Sequence, residues 1–173
     1  MKFMGHAIHP LLIVFPLGLL ASSLGFDAGY LSTGNAEFAI ASFWMISAGI
    51  LGGLLAALFG AIDWWGIPAG TRAKAIGLWH GGLNFIVLVL FAGAWWLRFN
   101  VPDHTPRPFA VTLSCIGIVL ALVGGWLGGE LVERLGIAVH VGAHPNAPSS
   151  LSGRPAFEQA EDTTAILPGP RNV

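Results

Sequence analysis

Four apolar stretches, each long enough to cross a bilayer as a helix, dominate this chain of 173 residues. They lie at about residues 8–29, 38–64, 75–97 and 109–132. About 20 residues of helix are needed to cross roughly 30 Å of hydrocarbon. Only 10% of the residues are charged, whereas soluble domains carry roughly 25%. The sequence therefore predicts an all-α integral membrane protein that contacts the lipid bilayer on its outer faces.

The connections between these stretches are short and rich in Gly, Pro, Ser and Asn, which is turn chemistry. Short connections make successive helices antiparallel neighbours, so residues 1–137 are predicted to form an antiparallel four-helix bundle. Residues 138–173 are rich in Pro, Ser, Gly and Ala, and we expect an irregular tail, or one that a partner orders. The net charge of -1 gives no reason to expect nucleic acid as a partner.

Basic residues near the ends of the spans predict the orientation, because cytoplasmic loops carry an excess of Lys and Arg. Four basic residues flank the spans on the side of the two termini, and two flank them on the other side. These are Lys2, Arg72, Lys74 and Arg134 on the first side, and Arg98 and Arg107 on the second. We therefore expect both termini in the cytoplasm.

Ionisable side chains gather at one predicted depth. The first and third spans begin, and the second and fourth end, at the same membrane face. On the first span, polar residues from His9 to Asp27 recur at helical spacing and should face protein. At the shared face we expect His6, His9, His80, Asp63 and Glu130. Ionisable groups within spans are costly, so this cluster is a candidate metal or cofactor site.

A structural interpretation of the same cluster is equally open. Asp63 could pair with Arg72, Glu130 could pair with Arg134 at helical spacing, and each His could bind a neighbouring carbonyl. Small residues also recur on the second span from Gly49 to Gly60, and on the fourth from Gly117 to Gly128. Such spacing is typical of close helix packing in membranes.

Several segments resemble the bacterial membrane-protein family known as domain of unknown function 2231. The likeness covers roughly residues 5–137. Its segments are Gly5-His6-Ala7-Ile8-His9-Pro10, Gly49-Ile50-Leu51-Gly52-Gly53, Asp63-Trp64, Thr71-Arg72-Ala73-Lys74, Gly77-Leu78-Trp79-His80 and Gly128-Gly129-Glu130-Leu131-Val132. The resemblance implies a four-helix domain of the bacterial inner membrane that is sometimes found alongside iron–sulphur redox modules. Members often carry a His soon after the last segment, where this chain has Leu135 before Gly136.

Three functions are compatible with these patterns. In the first, His9 and His80, on diagonal helices, are axial ligands of a b-type haem for electron transfer, and the glycine stripes make room for the porphyrin. In the second, His9, His80 and Asp63, with Glu130 or a water as a further ligand and His6 nearby, bind a bare metal ion.

In the third, the chain is a cofactor-free accessory subunit of a larger membrane assembly. The company of the resembled family with redox modules makes a respiratory or photosynthetic complex the natural partner. Nucleophile motifs, phosphate loops and dinucleotide fingerprints are absent from the sequence, so we do not expect a catalytic site of the soluble-enzyme type.

Overall fold

The computed structural model describes residues 2–4 and 6–159, and it confirms the all-α membrane architecture. Four helical stretches, residues 8–33, 36–65, 72–99 and 108–134, are long and apolar enough to cross a membrane. The first consists of α1 (Ile8–Leu12) and α2 (Val14–Thr33), which are joined through Ile13. The second is α3 (Ala36–Trp65), and the third is α4 (Arg72–Phe99). The fourth consists of α5 (Pro108–Gly129) and a π-helical turn (Glu130–Arg134).

Several helix ends lie where the local sequence favours a helix boundary. Gly34 follows α2 in the left-handed conformation, with φ of 71°, which a residue without a Cβ adopts at low cost. The side chain of Asn35 accepts a hydrogen bond from the backbone of Glu37, and that of Thr71 accepts one from Lys74. Pro108 occupies the first turn of α5, where its missing N–H has no intrahelical partner to lose.

Contacts between neighbouring helices show that these helices run in opposite directions. Gly29 lies against Phe38 near one end of the first pair, and Gly60 lies against His9 near the other end. The third and fourth spans behave in the same way, since Gly117 lies against Phe91 and Gly128 against His80. Packing is closest between the first and second spans and between the third and fourth spans. The bundle therefore consists of two antiparallel hairpins, residues 8–65 and residues 72–134.

The centre of the bundle is an apolar layer to which both hairpins contribute. Leu20, Ile46, Val87 and Phe91 are buried together. A second, smaller cluster of Ile67, Ala73 and Leu131 lies at the end of the bundle near the termini, where Leu135 and Ile137 pack against it. The large apolar side chains outside these clusters are mostly exposed, as expected for helices that contact lipid.

The chain outside the bundle forms short strands and turns. Strands β1 (Lys2–Phe3) and β2 (His6–Ala7) pair as a small antiparallel hairpin before the first span. Residues 102–104 form a 3₁₀ turn. Residues 138–159 form turns and bends, and Ser150 donates a hydrogen bond to the carbonyl of Met4 across 3.2 Å. Residues 160–173, the rest of the predicted tail, lie outside the described residues.

Candidate functional site

His9 extends from α1 across to the second span of its own hairpin. Its Nδ1 lies 2.8 Å from the carbonyl oxygen of Ala56, one helical turn before Gly60. A Cβ at Gly60 would lie 3.0 Å from two atoms of the imidazole ring. Glycine at position 60 therefore gives the ring its place against the α3 backbone.

His80 makes the matching contact in the second hairpin. Its Nδ1 lies 2.9 Å from the carbonyl oxygen of Gly124. A Cβ at Gly128 would lie 3.1 Å from the imidazole ring. Asn84, one turn further along α4, donates to the His80 carbonyl across 2.9 Å, and its amide nitrogen lies 3.4 Å from each ring nitrogen. His80 is therefore held from two sides.

The two imidazoles meet between the hairpins. Their ring centroids are 6.1 Å apart, and their planes are perpendicular. Both residues are half-buried. The structure thus brings together, at one depth, the two histidines that the sequence singled out.

The hydrogen bonds to carbonyl oxygens determine which ring nitrogen carries a proton. A carbonyl oxygen only accepts hydrogen bonds, so Nδ1 of His9 and Nδ1 of His80 must each carry one. In a neutral imidazole, Nε2 then retains its lone pair. A metal-binding histidine almost always donates its other N–H to a carbonyl or a carboxylate in this way. The Nδ1 contacts of both rings are therefore those that a histidine binding a metal through Nε2 would make.

Two of the other predicted site residues, Glu130 and His6, have hydrogen-bond partners of their own. Glu130 accepts from Arg72 across 2.6 Å, and not from Arg134 as its helical spacing had suggested. His6 lies on β2, outside the helix, and its Nδ1 is 3.1 Å from the Met4 carbonyl oxygen. Asp63 lies near the end of α3 and is half-buried. Within the part of the chain that is described, no group of three or more His, Cys, Asp or Glu side chains is placed to hold a metal ion together.

The glycine stripes accommodate side chains of the neighbouring span. A Cβ at Gly49 would lie 2.6 Å from Leu20, and one at Gly53 would lie 2.5 Å from Leu88. Gly117 is approached in the same way by Phe91. These positions therefore serve the close packing of helices that small residues allow in membranes.

A buried ion pair at the opposite end of the bundle was not predicted. Both terminal nitrogens of Arg98 donate to Asp27, across 2.6 and 2.7 Å, and neither side chain is exposed. Arg98 also donates to Ser42 across 3.1 Å, while its Nε has no hydrogen-bond partner among the described residues. The sequence had placed Asp27 on an inward face but had counted Arg98 as a charge flanking a span.

An aromatic stack lies beside this ion pair. The ring of His104 stacks on Phe43 with a centroid distance of 3.7 Å, and Phe43 stacks on Trp95 at 5.5 Å. His104 Nδ1 also lies 3.1 Å from the carbonyl oxygen of Arg98. The loop after α4 is thereby held against the end of the bundle.

Comparisons with known proteins agree with this architecture. The model of one protein family, described as predicted membrane protein (DUF2231), matches residues 5–141. No curated protein and no solved structure gave a significant match. The match spans all four helical stretches and includes both His9 and His80. The chain is therefore a multi-pass member of the DUF2231 family of predicted membrane proteins.

Proposed function

We propose that His9 and His80 together bind a redox-active metal, and that this metal is the iron of a b-type haem. The observation that carries the proposal is the pair of imidazoles with centroids 6.1 Å apart, each with Nδ1 directed to a carbonyl. Metal–nitrogen bonds of about 2.0 Å, plus about 1.1 Å from each nitrogen to its ring centre, predict a separation of about 6.2 Å. The observed separation of the ring centroids, 6.1 Å, is close to this value.

A haem held by His9 and His80 would supply electron-transfer chemistry, because two protein ligands would leave no place on the iron for a substrate. The chain's own residues supply the two lone pairs, and the carbonyls of Ala56 and Gly124 orient them. We further propose that the protein lies in the bacterial inner membrane as a redox-associated subunit of a larger respiratory or photosynthetic complex. Both termini would then lie in the cytoplasm, on the side of the His pair.

One observation favours a second candidate, a cofactor-free structural subunit. The glycine positions expected to make room for a porphyrin are approached closely by Leu20, Leu88 and Phe91. A porphyrin between the histidines would require the two hairpins to move apart. A bare ion held by His9 and His80 would need less room, and imidazole suits copper, zinc and iron.

An absorption spectrum of the purified full chain separates these candidates. The protein would be produced with added iron and haem precursor, then measured oxidised and after dithionite reduction, with its metals quantified by mass spectrometry. We expect a low-spin haem spectrum that His9→Ala and His80→Ala each abolish and that His140→Ala, in the tail, retains. Copper or zinc without haem would identify the bare-ion site. Absence of both haem and stoichiometric metal would leave the cofactor-free subunit.

A further inference from the structure

The two hairpins bury equivalent positions. All four buried residues of α2 have a buried counterpart in α4 at a constant difference of 71 in residue number, the separation of Asp27 and Arg98. They are Pro16, Leu20, Ser23 and Asp27 in α2, and Val87, Phe91, Ala94 and Arg98 in α4. All four buried residues of α5 have a buried counterpart in α3 at a constant difference of 68. These are Ser42, Ile46, Gly49 and Ala56 in α3, and Ala110, Ser114, Gly117 and Gly124 in α5.

Equivalent residues of the two hairpins also make equivalent contacts. His9 binds the Ala56 carbonyl, and its equivalent His80 binds that of Gly124, which is the equivalent of Ala56. Leu20 approaches Gly49 just as Phe91 approaches Gly117. Because both hairpins cross the membrane in the same order of directions, a pseudo-two-fold axis along the membrane normal relates them.

Equivalent residues face one another where this axis passes through the bundle. His9 meets His80 at one end, and Asp27 meets Arg98 at the other. If the first hairpins of two copies of the chain associated with each other, a His would still face a His at one end. At the other end, Asp27 would face a second Asp27. If two second hairpins associated, Arg98 would face a second Arg98.

Burial makes the difference in energy between an unlike and a like charge pair large. Both side chains have 0% of their surface exposed, so water does not screen their charges. Unlike charges in such a place attract strongly, whereas like charges repel and lose their hydration without compensation. Apolar and small residues along the rest of the interface carry no comparable distinction between one hairpin and the other.

We propose that Asp27 and Arg98 determine which hairpins associate. The pair stabilises the association of the first hairpin with the second. It disfavours association of either hairpin with the same hairpin of a second copy. The chain is thus a duplicated hairpin whose opposite charges specify pairing between unlike halves. This role is independent of any ligand at the His pair.

The test uses two full-chain variants with different affinity tags. Arg98→Asp gives both hairpins an Asp, and Asp27→Arg gives both an Arg, so neither variant can form the unlike pair within one chain. Co-produced in one membrane, they can form it between chains. We expect the two tags to copurify as a dimer by native mass spectrometry, while two differently tagged wild-type chains give background copurification. Absence of the complex, whether the variants accumulate separately or are both lost, would overturn the proposal.

A second measurement uses the exchanged pair Asp27→Arg with Arg98→Asp in a single chain. Since the two positions are equivalent, this chain keeps one unlike pair and should be a folded monomer. It should be less stable than the wild type only by the hydrogen bond from Arg98 to Ser42, whose equivalent position is Ala110. Aggregation or dimerisation of this variant would show that the positions are not equivalent and would also overturn the proposal.

Discussion

Arg98 donates hydrogen bonds to Asp27 from both of its terminal nitrogens, and the two residues belong to different hairpins. Removal of one partner leaves a buried charge without compensation, which costs about 3–5 kcal/mol. We therefore expect Asp27→Leu and Arg98→Met each to lower the free energy of unfolding by that amount. Asp27→Leu with Arg98→Met should lower it by less than either single change, since no charge remains. Unfolding by SDS in mixed micelles measures this, and a double variant weaker than both singles would contradict it.

Close approach of side chains to glycine predicts which substitutions disturb helix packing. A Cβ at Gly49 would lie 2.6 Å from Leu20, and one at Gly117 would lie 2.8 Å from Phe91. Gly49→Ala and Gly117→Ala should each destabilise the bundle by about 1–3 kcal/mol, the usual cost of overpacking. Gly25→Ala is the matched control, because a Cβ there meets nothing within 4 Å. Thermal unfolding in detergent should separate the two classes, and equal melting temperatures would refute the contacts.

The close contact between the His9 ring and Gly60 gives a prediction about ligand binding. In Gly60→Ala, the new methyl group would lie 3.0 Å from the imidazole, so the ring must shift relative to His80. We expect this variant to bind haem or metal at least about tenfold more weakly, or to show an altered haem spectrum, because ligand position determines coordination. Gly82→Ala, near His80 but in open space, should bind as the wild type does. Titration of the ligand-free proteins with haem or metal would detect the difference.

The ion pair between Arg72 and Glu130 should contribute little. The Arg72 side chain is 60% exposed, so solvent screens the interaction. Glu130→Gln is expected to lower the free energy of unfolding by less than about 1 kcal/mol, with a smaller effect at high salt. A loss as large as that of Asp27→Leu, measured in the same micelles, would mean that Glu130 has a further role.

Topology reporters test the proposed orientation. Four basic residues, Lys2, Arg72, Lys74 and Arg134, flank the spans on the terminal side, and two, Arg98 and Arg107, flank them on the other. We therefore expect both termini in the cytoplasm. A fluorescent protein fused after Val173 should fluoresce, and alkaline phosphatase fused there should be inactive. The reverse result would place the termini outside.

The bundle could be predicted from the sequence because span length and apolar character depend on local composition. The common depth of His9 and His80 followed from antiparallel connections alone. The partners of Arg98 and Glu130 could not be predicted in this way, because they depend on how each helix is rotated. Glu130 begins a π-helical turn, which changes the phase of the helix and removes the ordinary one-turn relation to Arg134. The recurrence of buried positions at a separation of 71, which relates Arg98 to Asp27, is visible only once the burial of each residue is known.

The layer of Leu20, Ile46, Val87 and Phe91 lies between the His pair and the Asp27–Arg98 pair. Its side chains carry no polar atom, so a proton or a small ion moving along the axis would find no partner there and would meet a barrier like that of the lipid interior. The His pair and the Asp27–Arg98 pair are therefore separated by an apolar barrier along the bundle axis. If His9 and His80 bind the proposed metal, charge would reach it from the end of the bundle that carries β1 and β2.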